Sequence, residues 1–206
     1  MRIVRLYSPS GDPDRIRAAL ENGEELVVDA QIVAEFGLYA GMEMEDGDLE
    51  ALKKAVSARR SKKRALRMIG ARAMSRREVT DRLARRGGSR EEAEETAGWL
   101  ERIGALDDRE YAGMIVRHYS ARGFGPAKVK SELFRRGIEK DLWPEVLEQL
   151  PDEEEAIGRL LAGRLGPESG PADVKKTMDF LLRRGFGYEK VRAALRQWTD
   201  TGEFDG

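Results

Sequence analysis

The chain has 206 residues, no cysteine and a single histidine, His118. That excludes disulfides, thiolate metal sites, cysteine nucleophiles and multi-histidine clusters. Charged residues make up 36% of the chain against 40% hydrophobic and 7% aromatic, the balance of a protein with much solvated surface over a thin core. A formal net charge of −1 selects no partner by itself. No apolar run nears the ~20 residues that cross a bilayer, and no signal-peptide pattern opens the chain, so a cytoplasmic protein without membrane contact is expected.

The first part of the chain is β-rich. Ile3, Val4 and Leu6 predict a strand, and residues 8–14 a loop, from their Ser, Gly, Pro and Asp content. Ile16 to Leu20 fits a strand or a helix. Glu21-Asn22-Gly23-Glu24 is a hairpin signal, because Asn-Gly suits a tight primed turn, and Leu26, Val27 and Val28 form the returning strand. Ile32 to Phe36 fits either a strand or a short helix. These elements make a small module over residues 1–50. Asp48 is placed to cap a helix through Leu49, Leu52 and Val56 that joins this module to the rest of the chain.

The remainder reads as helix throughout, in three units over residues 57–104, 107–150 and 152–199. In the first unit, Ala65, Leu66, Ile69 and Ala73 lie on one helix. Ser75 with Glu78 forms a capping box that opens the second, which carries Val79 and Leu83 and stops at Gly87-Gly88. Ser89 with Glu92 opens the third, whose apolar stripe is Ala93, Ala97, Leu100 and Ile103. Asp107 with Glu110 opens the next unit, where Tyr111, Ala112, Ile115, Val116 and Tyr119 serve the first helix. Pro126 suits a first helical position. Val129, Leu133 and Phe134 face inward on the second helix, and Leu142, Val146, Leu147 and Leu150 serve the third. In the last unit the corresponding sets are Ile157, Leu160, Leu161 and Leu165, then Val174, Met178, Leu181 and Leu182, then Val191, Leu195 and Trp198. The tail from Asp200 is expected to fray.

The string L-x-R-R-G ends the second helix of every unit, at Leu83 to Gly87, Leu133 to Gly137 and Leu181 to Gly185. A fixed period with helical content predicts a repeat array, in which each unit buries its apolar face on a neighbour. The expected fold is therefore mainly α: tandem three-helix repeats in an elongated array, with a small β-containing N-terminal module. The string RGFG occurs at Arg122 to Gly125 and again at Arg184 to Gly187. It falls at different places within the repeats, so the match reads as coincident turn chemistry.

Charge is segregated. Residues 59–90 hold 13 basic side chains against the two acids Glu78 and Asp81, net +11, whereas residues 91–110 hold eight acids against Arg102 and Arg109, net −6. Basic second helices and acidic third helices recur in the second unit, and the third unit again has a basic second helix. Much of this charge belongs to ordinary solvated faces, but unpaired like charges repel. The first unit's basic face is a candidate surface for a polyanion or an acidic protein. No catalytic constellation appears. His118 has no nucleophile beside it, Asp107-Asp108 is better explained by helix capping than by a metal, and no phosphate-binding loop is present. Trp99, Trp143 and Trp198 suit core packing, while Phe124 and Phe186, flanked by glycine and preceded by arginine, are candidates for stacking on a base. Neither enzyme activity nor a cofactor is expected.

Several of these residues resemble the RecX family: Ser75-Arg76-Arg77-Glu78-Val79 with Leu83, Leu106-Asp107-Asp108 before Tyr111-Ala112, and Gly123, Gly125 and Lys128 before Glu132-Leu133 and Arg136-Gly137-Ile138. The resemblance spans about residues 65–150 and is looser beyond. It implies a regulator of the RecA recombinase in DNA repair, homologous recombination and the SOS response. Such a protein binds the RecA–single-stranded DNA filament and limits its growth, ATPase, strand exchange and co-protease activity. Single-stranded DNA would be met through the filament, by a monomer. Charge and periodicity, rather than the resemblance, select the contact candidates: Arg76, Arg77, Arg82, Arg85, Arg86, Lys128, Lys130, Arg135 and Arg136. The alternative is a protein that binds DNA directly through basic helix-turn-helix-like repeats.

Overall fold

The computed structural model of the protein describes residues 1–9 and 15–202. Three strands, β1 (Ile3–Tyr7), β2 (Ile16–Leu20) and β3 (Glu25–Val28), form an antiparallel sheet in the order β1-β2-β3. Residues 10–14 of the expected first loop lie outside the described residues. The Asn22-Gly23 turn joins β2 to β3 with Gly23 at φ 86°. The ambiguous segment is helical: α1 (Ala30–Glu35) is capped by Asp29, whose carboxylate accepts the Ile32 N–H.

Next comes α2 (Asp46–Ala71), one 26-residue helix. Two helices meeting near residue 57 were expected; nothing between Val56 and Ala65 breaks the helix, and Asp48 lies inside its first turn instead of capping it. The other helices are α3 (Arg76–Ala84), α4 (Arg90–Arg102), α5 (Asp108–Ala121), α6 (Pro126–Arg135), α7 (Trp143–Leu147, preceded by a 3-10 turn over Lys140–Leu142), α8 (Glu153–Ala162), α9 (Pro171–Arg183) and α10 (Tyr188–Gly202). The last runs through Asp200 and Thr201, where fraying was expected; residues 203–206 lie outside the described residues.

The chain divides into two compact units, Met1–Ala71 with Thr80–Arg102 and Arg72–Val79 with Ile103–Gly206. In the first, the sheet and α1 close over Leu49 and Leu52 of α2. The later part of α2 packs on α4, burying Ala65, Ala93, Ala97 and Leu100. The second contains two further cores. Helices α5 to α7 enclose Tyr111, Ile115, Val116, Val129, Leu133, Ile138 and Val146, and α8 to α10 enclose Ile157, Leu161, Leu181, Phe186, Val191 and Leu195. Four residues expected on apolar helix faces are not there: Leu66 is 42% exposed, Ala73 lies exposed beyond the end of α2, and Phe134 and Ile103 are outside. Phe134 is 65% exposed because it lies about 100° around the helix from its buried neighbour Leu133. Ile103 is 51% exposed because α4 has ended at Arg102.

The leucine of each L-x-R-R-G string is buried, and its glycine, at residues 87, 137 and 185, has positive φ. Each glycine therefore ends a second helix in the conformation that side chains disfavour. Within the second unit, two of these ends also receive a neighbour. The start of α3 sits on Arg136-Gly137: the Ser75 hydroxyl donates to the Arg136 carbonyl, and the Arg77 stem lies where a Cβ on Gly137 would project. The start of α6 sits on Arg184-Gly185 in the same way. There Gly125 N–H donates to the Arg184 carbonyl at 2.9 Å and Ala127 N–H to the Gly185 carbonyl at 3.1 Å. A Cβ on Gly125 would lie 2.6 Å from that Gly185 oxygen. The two RGFG strings are thus the two sides of one joint. Reading them as coincident turns was mistaken, because position within a repeat does not show which backbones meet.

Candidate functional site

The basic candidates fall into two environments. In the second unit, α6 places Glu132 one helical turn beyond Val129 and beside Leu133, on the buried face. Glu132 is 5% exposed and is surrounded by three cations: Lys128 at 3.1 Å, Arg136 at 3.7 Å, and Arg135 through its Nε and Nη2. Burial pushes the Glu132 carboxyl upward. Hydrogen bonds from Arg135, Lys128 and Tyr119 outweigh it and hold the group at about 2. Three of the four candidates on this helix therefore pair with one internal anion, Arg135 doing so from an exposed position with its side chain 65% accessible, and the fourth, Lys130, is exposed as well. Sequence reading missed Glu132. The available signal was a carboxylate at i+3 from Val129 with basic residues at i−4, i+3 and i+4.

The matching site in the third repeat is Phe180, four residues before Arg184. The Arg184 guanidinium lies 4.5 Å from the Phe180 ring centroid and 4.9 Å from that of Phe124, and it donates to the carbonyls of Arg122 and Gly123. Phe124 is half-buried against Tyr119, with ring centroids 5.5 Å apart. Phe186, the other stacking candidate, belongs to the core at 5% exposed. An apolar ring and a carboxylate thus hold the joint arginine from the same helical position by different physics.

At the end of α3 that position is Arg82, so no clamp exists. Arg82, Arg85 and Arg86 are exposed. Arg85 Nε reaches only the Asp81 carbonyl, at 3.1 Å, and Arg82 and Arg86 form no ion pair among the described residues. Arg76 and Arg77 sit at the other end of α3, where the Arg76 N–H is bound by Asp108 at 2.7 Å and Arg77 packs on Gly137. Elsewhere in the +11 segment, part of the charge is absorbed, while Arg60 and Arg67 are exposed. Asp29, 5% exposed, holds Arg59 and also Lys63 at 3.2 Å. Arg72 pairs with Glu78 at 2.9 Å, Arg90 pairs with Asp81 and Glu94, and Lys62 lies over Trp99. Replacing Asp29 with asparagine removes two ion pairs and leaves the α1 cap to a neutral amide oxygen. It is expected to cost about 2 kcal/mol in denaturant unfolding.

The capping residues are placed as their chemistry requires. Ser75 and Glu78 bond reciprocally at 3.1 and 3.2 Å, and Asp107 accepts the N–H groups of Arg109 and Glu110. Glu92 is different. Its N–H takes the Ser89 hydroxyl, but its carboxylate accepts from Ser57 and Ser61 of α2 instead of closing a box. No group of three His, Asp or Glu side chains is placed to hold a metal among the described residues, nor is any helix long and apolar enough to cross a membrane.

Two family models match the chain: the first three-helix domain of RecX over residues 62–100 and the second over residues 107–147. A regulatory protein RecX of Chromohalobacter salexigens is 34% identical over 140 residues, 66% of this chain and 92% of that one. The chain belongs to the RecX family of regulatory proteins. A second RecX, of Bacillus licheniformis, is 27% identical over 210 residues, which cover 99% of this chain and 80% of that protein. A solved RecX structure shares the fold, with a TM-score of 0.70, 19% identity and coverage of 93% of this chain and 97% of the other. The matched RecX domains contain every basic candidate, including the exposed end of α3 and the Glu132 cluster.

Proposed function

We propose that this RecX protein binds the RecA–single-stranded DNA filament and limits its growth, and with it ATP hydrolysis, strand exchange and co-protease activity, without chemistry of its own. Its place is then the cytoplasm, in homologous recombination, DNA repair and the SOS response. The module of residues 1–50 and the repeats of residues 57–104, 107–150 and 152–199 would present contacts in series, and several weak contacts in series act by avidity.

The observation that supports this reading is the contrast between the ends of α3 and α6. Where Glu132 is present, the arginines are engaged internally. Where Arg82 replaces it, three guanidinium groups stand exposed on one helix end, suited to phosphates or to acidic side chains. Replacing Arg82, Arg85 and Arg86 together with glutamate is expected to weaken inhibition of RecA at least about tenfold, because each removes a charge-assisted contact and adds a repulsion. The fold is expected to survive, as judged by an unchanged circular dichroism spectrum. Undiminished inhibition by the folded triple variant would reject the assignment.

A further inference from the structure

The two filled joints have the same parts. A second helix begins on one side and the Arg-Gly end of another second helix lies on the other, whose carbonyls accept from the Ser75 hydroxyl at one joint and from the Gly125 and Ala127 N–H groups at the other. One of each part is left over. The end of α3, Arg86-Gly87, has the same left-handed glycine as its counterparts, φ 91° against 73° and 86°, yet among the described residues nothing lies within 4 Å of where its Cβ would project. The start of α9, Gly170-Pro171-Ala172, repeats the Gly125-Pro126-Ala127 of the filled joint residue for residue. Its cap has the same backbone conformation, φ −90° and ψ 179° against φ −83° and ψ 174°.

Gly170 is the informative residue. A φ of −90° is open to any side chain, and a Cβ there would meet nothing within 4 Å among the described residues. Packing among the described residues therefore does not call for glycine, although an N-cap position accepts it readily. At Gly125 the same backbone does need glycine, because the Gly185 carbonyl lies 2.6 Å from the Cβ position. Glu168, in the loop before α9, is the acid available to the arginines at the end of α3; Asp173 is paired with Lys176 at 3.6 Å, and Arg164, Lys175 and Lys176 flank the segment. The bonds now made at the two ends are long: Gly170 N–H to Asp173 at 3.3 Å, and Arg64 to the Arg86 carbonyl at 3.4 Å. Both exchange readily for the shorter bonds of a filled joint.

We propose that two copies of this chain join end to end, the start of α9 in one copy seating on Arg86 and Gly87 of α3 in the other. Gly170 N–H then donates to the Arg86 carbonyl and Ala172 N–H to the Gly87 carbonyl. Such a contact is heterologous, so it leaves an open acceptor and an open donor for further copies. The sequence led to the expectation of a monomer, and end-to-end joining departs from it.

The absence of cysteine makes the test direct. One full-length chain carries Ala172→Cys and another carries Gly88→Cys, a glycine without positive φ. A short bismaleimide should couple the mixed pair about tenfold faster than either variant with itself, because seating raises the local concentration of one thiol beside the other. Adding Gly170→Val to the first chain should abolish the preference while leaving its spectrum unchanged, and added salt should reduce it. Equal coupling of like and unlike chains, or no coupling, would overturn the proposal. So would a chain carrying both cysteines that closes on itself, since the seat would then belong to one molecule. None of these readouts involves RecA, so the result stands apart from the proposed regulation.

Discussion

Replacing Glu132 with alanine is expected to cost the fold about 3 kcal/mol, the scale for removing one partner from a buried ion pair. The carboxylate is almost fully enclosed and serves Lys128, Arg135 and Arg136 together. Without it Arg136, whose side chain is 21% exposed and whose buried Nε has no hydrogen-bond partner among the described residues, would keep its charge in a poor solvent. For a chain of this length the loss corresponds to a fall of about 10 °C in Tm. The pH dependence has a defined sign. The folded-state pKa is about 2 against an ordinary 4.5, so the contribution is complete above 4.5 and disappears as pH falls towards 2. Wild type and Glu132→Gln should therefore differ most near neutral pH and converge between pH 4.5 and 2. A gap that stayed constant over that interval would show that the carboxylate's charge is not what matters.

Gly185→Val is expected to be at least as damaging, again about 3 kcal/mol or more. A side chain there meets the Lys128 backbone nitrogen at 2.4 Å and the Lys128 Cβ at 2.8 Å, and it must also adopt a φ of 86°. The strain falls on the joint, where the bonds from Gly125 and Ala127 must lengthen or break. Limited proteolysis should then open the chain around residues 122–125 and 184–187 before either helical core unfolds. Resistance equal to the wild type would mean that the joint contributes little. Gly170→Val is the useful contrast. It adds the same side chain at the other end of α9, where a Cβ meets nothing within 4 Å among the described residues, and the thermal transition should not move.

How far the sequence was legible depended on the range of the physics involved. Local signals read well. The Asn22-Gly23 turn, the Ser75–Glu78 box, the Asp107 cap and the glycines closing the second helices are decided within four residues. The errors arose where two elements meet. Phe134 was placed inside because it is apolar and follows Leu133, although helical geometry turns the two apart. The strings RGFG were dismissed because they occupy different places in their repeats; only the fold shows that those places touch. Glu132 was legible in principle, as an acid on an apolar face with basic residues one turn away on both sides. It went unread because charge was summed along helices instead of being paired across their turns. The same summation made the +11 segment look uniformly available, whereas Asp29, Glu78 and Trp99 each engage part of it.

The central claim is that the protein acts on RecA filaments, and the most direct measurement is the single-stranded-DNA-dependent ATPase of RecA titrated with the wild-type chain. A regulator that binds filaments and limits their growth should depress the rate well below one copy per RecA protomer, and the Arg82, Arg85, Arg86 triple glutamate variant should need far more protein for the same effect. An unchanged ATPase at every ratio, alongside tight binding to bare DNA, would contradict the claim and favour a protein that binds DNA directly.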